Sequence, residues 1–242
     1  LRSKVKWIRY YKPKKNLGFG GGCNYGRKKA KGKFLFFINS DILVDYKSFL
    51  GLYNFLDRNK KVGIVSPRLI NISGRFTPEA TRELTPFRGI FTQSIINKIY
   101  PNNPVAKNYL ISDWDRKTMR KVDVIQLGSY MIRTEAFDSV GGFDENMFLY
   151  FEENDIAKRL GSKGWDLIFY PRAKSIHLES KGTPKGSEEI KNVHKKSRFI
   201  YFKKNYGLFS ALVVQAFVNI SKNSLIFFVI FLVGLFLRFY RL

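Results

Sequence analysis

Apolar residues run through this chain in two alternating patterns: short unbroken blocks, and longer stretches that repeat every three or four positions. Residues 34–38 (FLFFI) form one such block, as expected of a strand covered on both faces. Residues 46–58 (YKSFLGLYNFLDR) return to helical spacing, and 62–66 form a second block closed by Pro67. Upstream, 4–11 has the pattern of another strand. The glycine-rich 16–32 predicts a turn leading into a short helix that Gly32 can cap. Strand, helix, strand, helix, strand predicts an α/β fold with a mostly parallel sheet flanked by helices.

The pattern then loosens. Residues 71–122 are polar and irregular, punctuated by Pro78, Pro86, Pro101 and Pro104, with helical spacing at 89–100. Order returns with a strand at 122–133, a short helix at 134–140, and a turn, an apolar run and an amphipathic helix across 141–165. Residues 166–170 and 175–177 read as two further short strands. From 207 two apolar runs follow, GLFSALVVQAFVNI and LIFFVIFLVGLFL, separated by 221–224. Each falls short of the ~20 residues of a spanning helix, and Arg238 and Arg241 follow the second. Membrane-surface or re-entrant helices, or a span completed beyond 242, fit these runs better than core helices. The chain therefore divides into an α/β domain over 1–206 and C-terminal membrane-associating helices over 207–242.

Composition narrows the partners. The 242 residues suffice for a sizeable core, and a lone cysteine, Cys23, excludes a disulfide framework and a thiolate zinc site. Lys+Arg number 43 against 19 Asp+Glu, a net charge of +24 that points to anionic partners: nucleic acid, an anionic membrane surface or a phosphorylated substrate. The basic residues are scattered, with no recognition helix or zinc-finger pattern, so nucleic acid is not expected. The chain opens without a signal-peptide pattern, and 4–11 reads as an internal strand, so a missing N-terminal portion is expected.

Four places could carry chemistry. The strand at 34–38 delivers Asn39-Ser40-Asp41 to the edge where open α/β sheets bind ligands. A carboxylate there suits a hard divalent cation bridging a diphosphate, although alone Asp41 would more often start a turn. GFGGGC lacks the spacing of a dinucleotide fingerprint or a P-loop, and offers close backbone approach with Asn16 and Asn24 as polar contacts. Glu152, Glu153 and Asp155 open a helix, where acids complement the dipole. Coming directly after MFLYF, they could instead face a cleft, where a carboxylate takes a proton from an attacking hydroxyl. His177 ends a strand and could complete the coordination of a metal on Asp41, whereas His194 in VHKKSR reads as surface.

In this order, NLGFGGGCNYG, FLFFINSD, VSPRL, QLGSYMIRTEAFDSVGGFDENMFLYFEENDIAKRLGSKGW and PRAKSIH resemble a family 2 inverting glycosyltransferase of the bacterial rhamnosyltransferase-like branch, over roughly residues 5–205. The resemblance implies a GT-A-type, Rossmann-like fold, a nucleoside-diphosphate-sugar donor such as dTDP-rhamnose, and a divalent cation, Mg2+ or Mn2+. It implies Asp41 as the metal-binding carboxylate, with His177 at the metal or diphosphate. Asn39 stands where the family's first acidic residue would be and becomes a donor contact, with Asn16, Gly18 and Asn24 beside it. Glu153 matches the presumed base and Glu152 its neighbour, where the family usually has Glu-Asp. Gly128, Ser129 and Asp155 fall on the acceptor side. The family's first strand and nucleotide-binding aspartate have no counterpart here, in keeping with N-terminal truncation. The acceptor implied is a saccharide hydroxyl on a lipid-linked or cell-surface glycan precursor, at the cytoplasmic face of a bacterial inner membrane. The competing class is a non-catalytic basic module binding nucleic acid or an anionic membrane surface, for which Asp41 and Glu153 would be dispensable.

Overall fold

The computed structural model describes residues 8–76, 79–126, 128–178 and 187–220. In chain order the elements are α1 (Gly18–Arg27), β1 (Phe34–Ile38), β2 (Ile42–Val44), α2 (Tyr46–Arg58), β3 (Val62–Asn71), β4 (Ala80–Thr81), α3 (Pro86–Gln93) and α4 (Ile95–Ile99). There follow α5 (Pro104–Tyr109), β5 (Arg120–Val122), β6 (Val124–Ile125), β7 (Ser129–Arg133), α6 (Thr134–Ser139), α7 (Glu152–Ser162), β8 (Asp166–His177) and α8 (Glu188–Asn219). The main sheet runs β1-β7-β3-β8-β2, with β5 also on β8, and β4 and β6 form a separate ribbon.

The α/β class and the flanking helices agree with the expectation, but the sheet is mixed. Among the described residues β3 and β8 are the parallel pair, while β1·β7, β3·β7, β2·β8 and β5·β8 are antiparallel. The unbroken block FLFFI is an antiparallel strand whose two faces are both covered. Leu35 and Phe37 pack into the core that holds α6 and α7, and Phe34 and Phe36 into the core beneath α2. Burial on both faces removes the alternation whichever way the neighbour runs, so an apolar block reports covering and not direction.

Other boundaries shift for local reasons. The strand expected at 4–11 falls outside the described residues as far as 7, and 8–13 has no regular structure. The glycine-rich stretch is itself helix α1, closed by the Lys28 N–H on the Asn24 and Gly26 carbonyls, so Gly32 caps nothing. β3 passes through Pro67 to Asn71: Pro67 sits at a register shift where β8 skips from Tyr170 to Lys174, and the irregularity absorbs its missing N–H. For the same reason 166–170 and 175–177 are one strand, β8, which pairs with β5 at its start and β2 at its end. The expected 122–133 strand breaks into the end of β5, then β6 and β7. In the irregular region Pro86 and Pro104 open α3 and α5, behind Thr85 and Asn103 caps that accept from Arg88 N and Ala106 N.

The first C-terminal apolar run is the second half of α8, beyond a break at Gly207 (φ 86°, ψ 165°). The second run lies outside the described residues. Among the described residues no helix is long and apolar enough to cross a membrane. The half of α8 before the break contributes Tyr201 and Phe202, and the half after it Ala211 and Val214, to a third core with Leu84, Met147 and Phe151. That core supports the start of α7, where the candidate chemistry lies.

Candidate active site

The start of α7 is built on strained backbone. Tyr150 and Phe151 both hold left-handed φ (70° and 69°), a conformation costing roughly 1–3 kcal/mol per non-glycine residue. Buried Phe151 repays that cost by packing against Tyr201 and His194, with ring centroids 5.9 and 4.9 Å apart. His194, expected at the surface, is half-buried under Tyr150 and Phe151, and burial and Arg198 lower its pKa and favour the neutral ring. The strained turn sends Glu152 and Glu153 into a cleft of about 340 Å³ together with Asn39, Glu79, Gly128 and His177, walled by Phe19, Leu69 and Leu149.

Burial sets the acidity of this pair. Glu152 is 3% exposed, and burial followed by the charge of Glu153 pushes its carboxyl up to about 8. Burial also raises Glu153. Two adjacent carboxyls share one negative charge most easily, and the charge of Glu153 helps keep Glu152 protonated. A carboxylate beside a neutral acid, at the start of a helix, is a group that can accept a proton in the cleft.

The ends of β1 and β8 converge as expected. Ile42 pairs with His177 across β2 and β8, which brings His177 Nε2 to 3.1 Å from Asp41 Oδ2. One carboxylate and one imidazole, half-exposed at the rim of the cleft, fit a Mg2+ or Mn2+ ion that takes its other ligands from diphosphate oxygens and water. Among the described residues no group of three or more His, Cys, Asp or Glu gathers to hold a metal.

Several expected contacts have other work. Asn16 Oδ1 accepts from Gly18 N (3.0 Å) and turns the chain into α1. Gly18 has φ +73°, and a Cβ there would lie 2.0 Å from the Phe148 carbonyl oxygen, so glycine lets α1 press on the 143–148 loop. Asn24 clamps that loop from both sides, donating to Phe143 O and accepting from Phe143 N, each at 2.9 Å. These three residues fix the loop leading to α7 and do not line the cleft. Ser129 is buried and its hydroxyl bonds that of Ser175 (2.9 Å), tying β7 to β8. Asp155 is fully buried against Arg159, Lys204 and Asn205, joining α7 to α8. Neither lines the cleft. Gly128 does line the cleft, and its carbonyl accepts the Asn39 N–H (3.0 Å).

Glu79 and Gln126 line the cleft without having been legible in the sequence. Glu79 lies in the irregular region between Pro78 and Ala80, where no spacing or flanking pattern marks it. A larger groove of about 700 Å³ between α2 and the β8 irregularity is lined by Arg58, Lys117 and Arg172 and by no carboxylate, so it offers no base.

The helix-flanked mixed sheet is similar in fold to GT-A glycosyltransferases. Glycosyl transferase family 2 matches residues 3–124, just over half of the chain, and the chain belongs to that family. It is 27% identical over 163 residues to the N-acetylglucosaminyl-diphospho-decaprenol L-rhamnosyltransferase of Mycobacterium tuberculosis (strain ATCC 25618 / H37Rv), across 67% of this chain and 52% of the relative. It is 25% identical over 164 residues to the O-antigen biosynthesis protein RfbC of Myxococcus xanthus, across 65% of this chain and 12% of that one. The match thus spans about half the length of the first relative and a small part of the second. Among solved structures, GalNAc-T7 with UDP, GalNAc and Mn2+ superposes with a TM-score of 0.56 at 16% identity, covering 88% of this chain and 41% of that one, a likeness of fold.

Proposed function

We propose that the chain transfers a sugar, rhamnose in the first instance, from a nucleoside-diphosphate donor to a saccharide hydroxyl on a lipid-linked glycan precursor, with inversion at the anomeric carbon. The observation that carries this reading is the shared cleft of Glu153, Asn39 and His177. Glu153 accepts the proton of the acceptor hydroxyl, whose oxygen bonds to the anomeric carbon as the carbon–oxygen bond to the diphosphate breaks. The nucleoside diphosphate leaves with that electron pair. Attack from the side opposite the leaving group inverts the centre. Asn39 offers an amide to the donor, and the neutral acid of Glu152 limits the negative charge facing the diphosphate. A divalent cation held by Asp41 and His177 would neutralise charge on the departing diphosphate. The name of the mycobacterial relative supports rhamnose and a diphospholipid-linked acceptor. The test is to incubate the chain with dTDP-rhamnose, UDP-GlcNAc and other nucleotide sugars, a diphospholipid-linked GlcNAc acceptor, and Mg2+ or Mn2+. Metal-dependent transfer giving an inverted linkage is expected. No transfer from any donor, alongside steeply salt-dependent nucleic-acid binding, would favour the basic-module reading.

The exposed apolar residues in the second half of α8 support a place for this reaction at an anionic membrane surface. Leu208, Phe209 (80% exposed), Leu212 and Phe217 present an apolar face to solvent on a chain carrying +24. Sedimentation with phosphatidylglycerol vesicles is expected to carry down the wild-type chain, and the Phe209→Asp/Leu212→Asp variant to remain largely in the supernatant. Equal sedimentation of both would assign the attraction to the basic domain alone.

A further inference from the structure

We infer that Glu79 hydrogen-bonds a hydroxyl of the donor's sugar and so helps select it, an inference that rests on the nucleotide-sugar reading above. Glu79 is 3% exposed; the Leu69 N–H approaches its carboxyl, but neither oxygen meets a partner at full hydrogen-bond distance and angle among the described residues, and the residue lines the 340 Å³ cleft. A buried polar group left unmatched is costly unless something supplies the missing bond. Ser66 and Tyr130 also carry buried side-chain oxygens without a partner among the described residues, and neither residue lines this cleft.

The backbone around Glu79 is fixed. Its carbonyl accepts from Gln126 N (2.6 Å), and Ala80 pairs with Ile125 in the β4·β6 ribbon, so the side chain is held at its position. Gly128 leaves the space beside it open: a Cβ there would stand 3.6 Å from Glu79 Oε1 and crowd Ile42 and Leu69 at 3.1 and 3.3 Å. Because the Gly128 carbonyl holds Asn39 N, Glu79 stands at the Asn39 end of the cleft, where the diphosphate and the sugar attached to it would lie. Burial pushes the carboxyl well above its ordinary range, against a smaller opposing effect of the Leu69 N–H. A sugar hydroxyl donates and accepts equally well, so it satisfies Glu79 in either protonation state.

Titration calorimetry in Mn2+ with dTDP-rhamnose, dTDP, UDP-GlcNAc and UDP, on the wild type, Glu79→Gln and Glu79→Leu, tests this. With the nucleotide series the wild type binds, Glu79→Leu is expected to lose about tenfold in affinity for the nucleotide sugar while keeping its affinity for the free nucleotide. Glu79→Gln, which retains a donor and the same shape, is expected to stay within about threefold of wild type for both. Melting curves check that both variants fold. The inference is overturned if the folded Leu variant binds sugar nucleotide like wild type, or if it loses free nucleotide equally. Failure of the wild type to bind any of the four compounds would overturn the donor-site reading itself, and this inference with it.

Discussion

Replacing Glu153 by Gln is expected to lower turnover by ~10²-fold or more, about 2.7 kcal/mol of transition-state stabilisation, while nucleotide-sugar affinity stays within a few-fold of wild type. The amide fills the same volume and keeps the strained Tyr150–Phe151 turn supported by Tyr201 and His194, so the fold has no reason to change. What disappears is the carboxyl that, in the proposed reaction, accepts the proton of the acceptor hydroxyl. Because burial raises Glu153, the proton acceptor forms only as the pH climbs above the ordinary carboxylate range, and the rate rises with pH through that limb. Glu153→Gln removes the limb. Glu152→Gln keeps most of the activity, since Glu152 is already a neutral acid up to about 8. Steady-state rates against pH for the two variants check this. A dead Glu152→Gln beside an active Glu153→Gln would exchange their roles.

How far the sequence reached depends on how local each signal is. β1 and α2 fall where the apolar pattern puts them because one strand and one helix each bury enough surface to impose their own period. The strand direction was hidden, since Phe34, Leu35, Phe36 and Phe37 are covered on both sides in an antiparallel pair. The rim residues Asp41 and His177 were legible as strand ends, and the β2·β8 register brings them together. Asn16, Gly18 and Asn24 stand outside the cleft lining, since the residue types that approach a phosphate also turn the chain or clamp one segment to another. The partners of Gly18 and Asn24, Phe148 and Phe143, stand more than a hundred positions away, beyond any local pattern. Asp155 also stands outside the cleft lining, its contacts being to Lys204 and Asn205 on α8, far along the chain. Glu79 had no pattern to betray it, since its burial arises from the meeting of β4, β6 and the Gly128 turn.

Substituting Asp41 by Asn is expected to abolish the metal-dependent part of donor binding and to cut transfer by ~10²-fold or more, an effect comparable to loss of the base. The change keeps the size of the side chain and leaves the Asp41 carbonyl to accept the Leu178 N–H (2.8 Å), so the β2 and β8 ends stay joined. It removes the negative charge that a hard cation requires of its protein ligand. His177→Ala removes the imidazole 3.1 Å away and is expected to cost about tenfold, since phosphate oxygens or water can take an imidazole's place more easily than a carboxylate's. The measurement is nucleotide-sugar affinity with Mn2+ and with a chelator, for wild type and both variants. Wild type should bind more tightly with the metal, Asp41→Asn equally in both conditions, and His177→Ala in between. An Asp41→Asn variant that keeps the full response to Mn2+ would move the cation away from the end of β1. The Glu152–Glu153 pair would then be the carboxylates to test next, at the cost of the proton-accepting role assigned to Glu153.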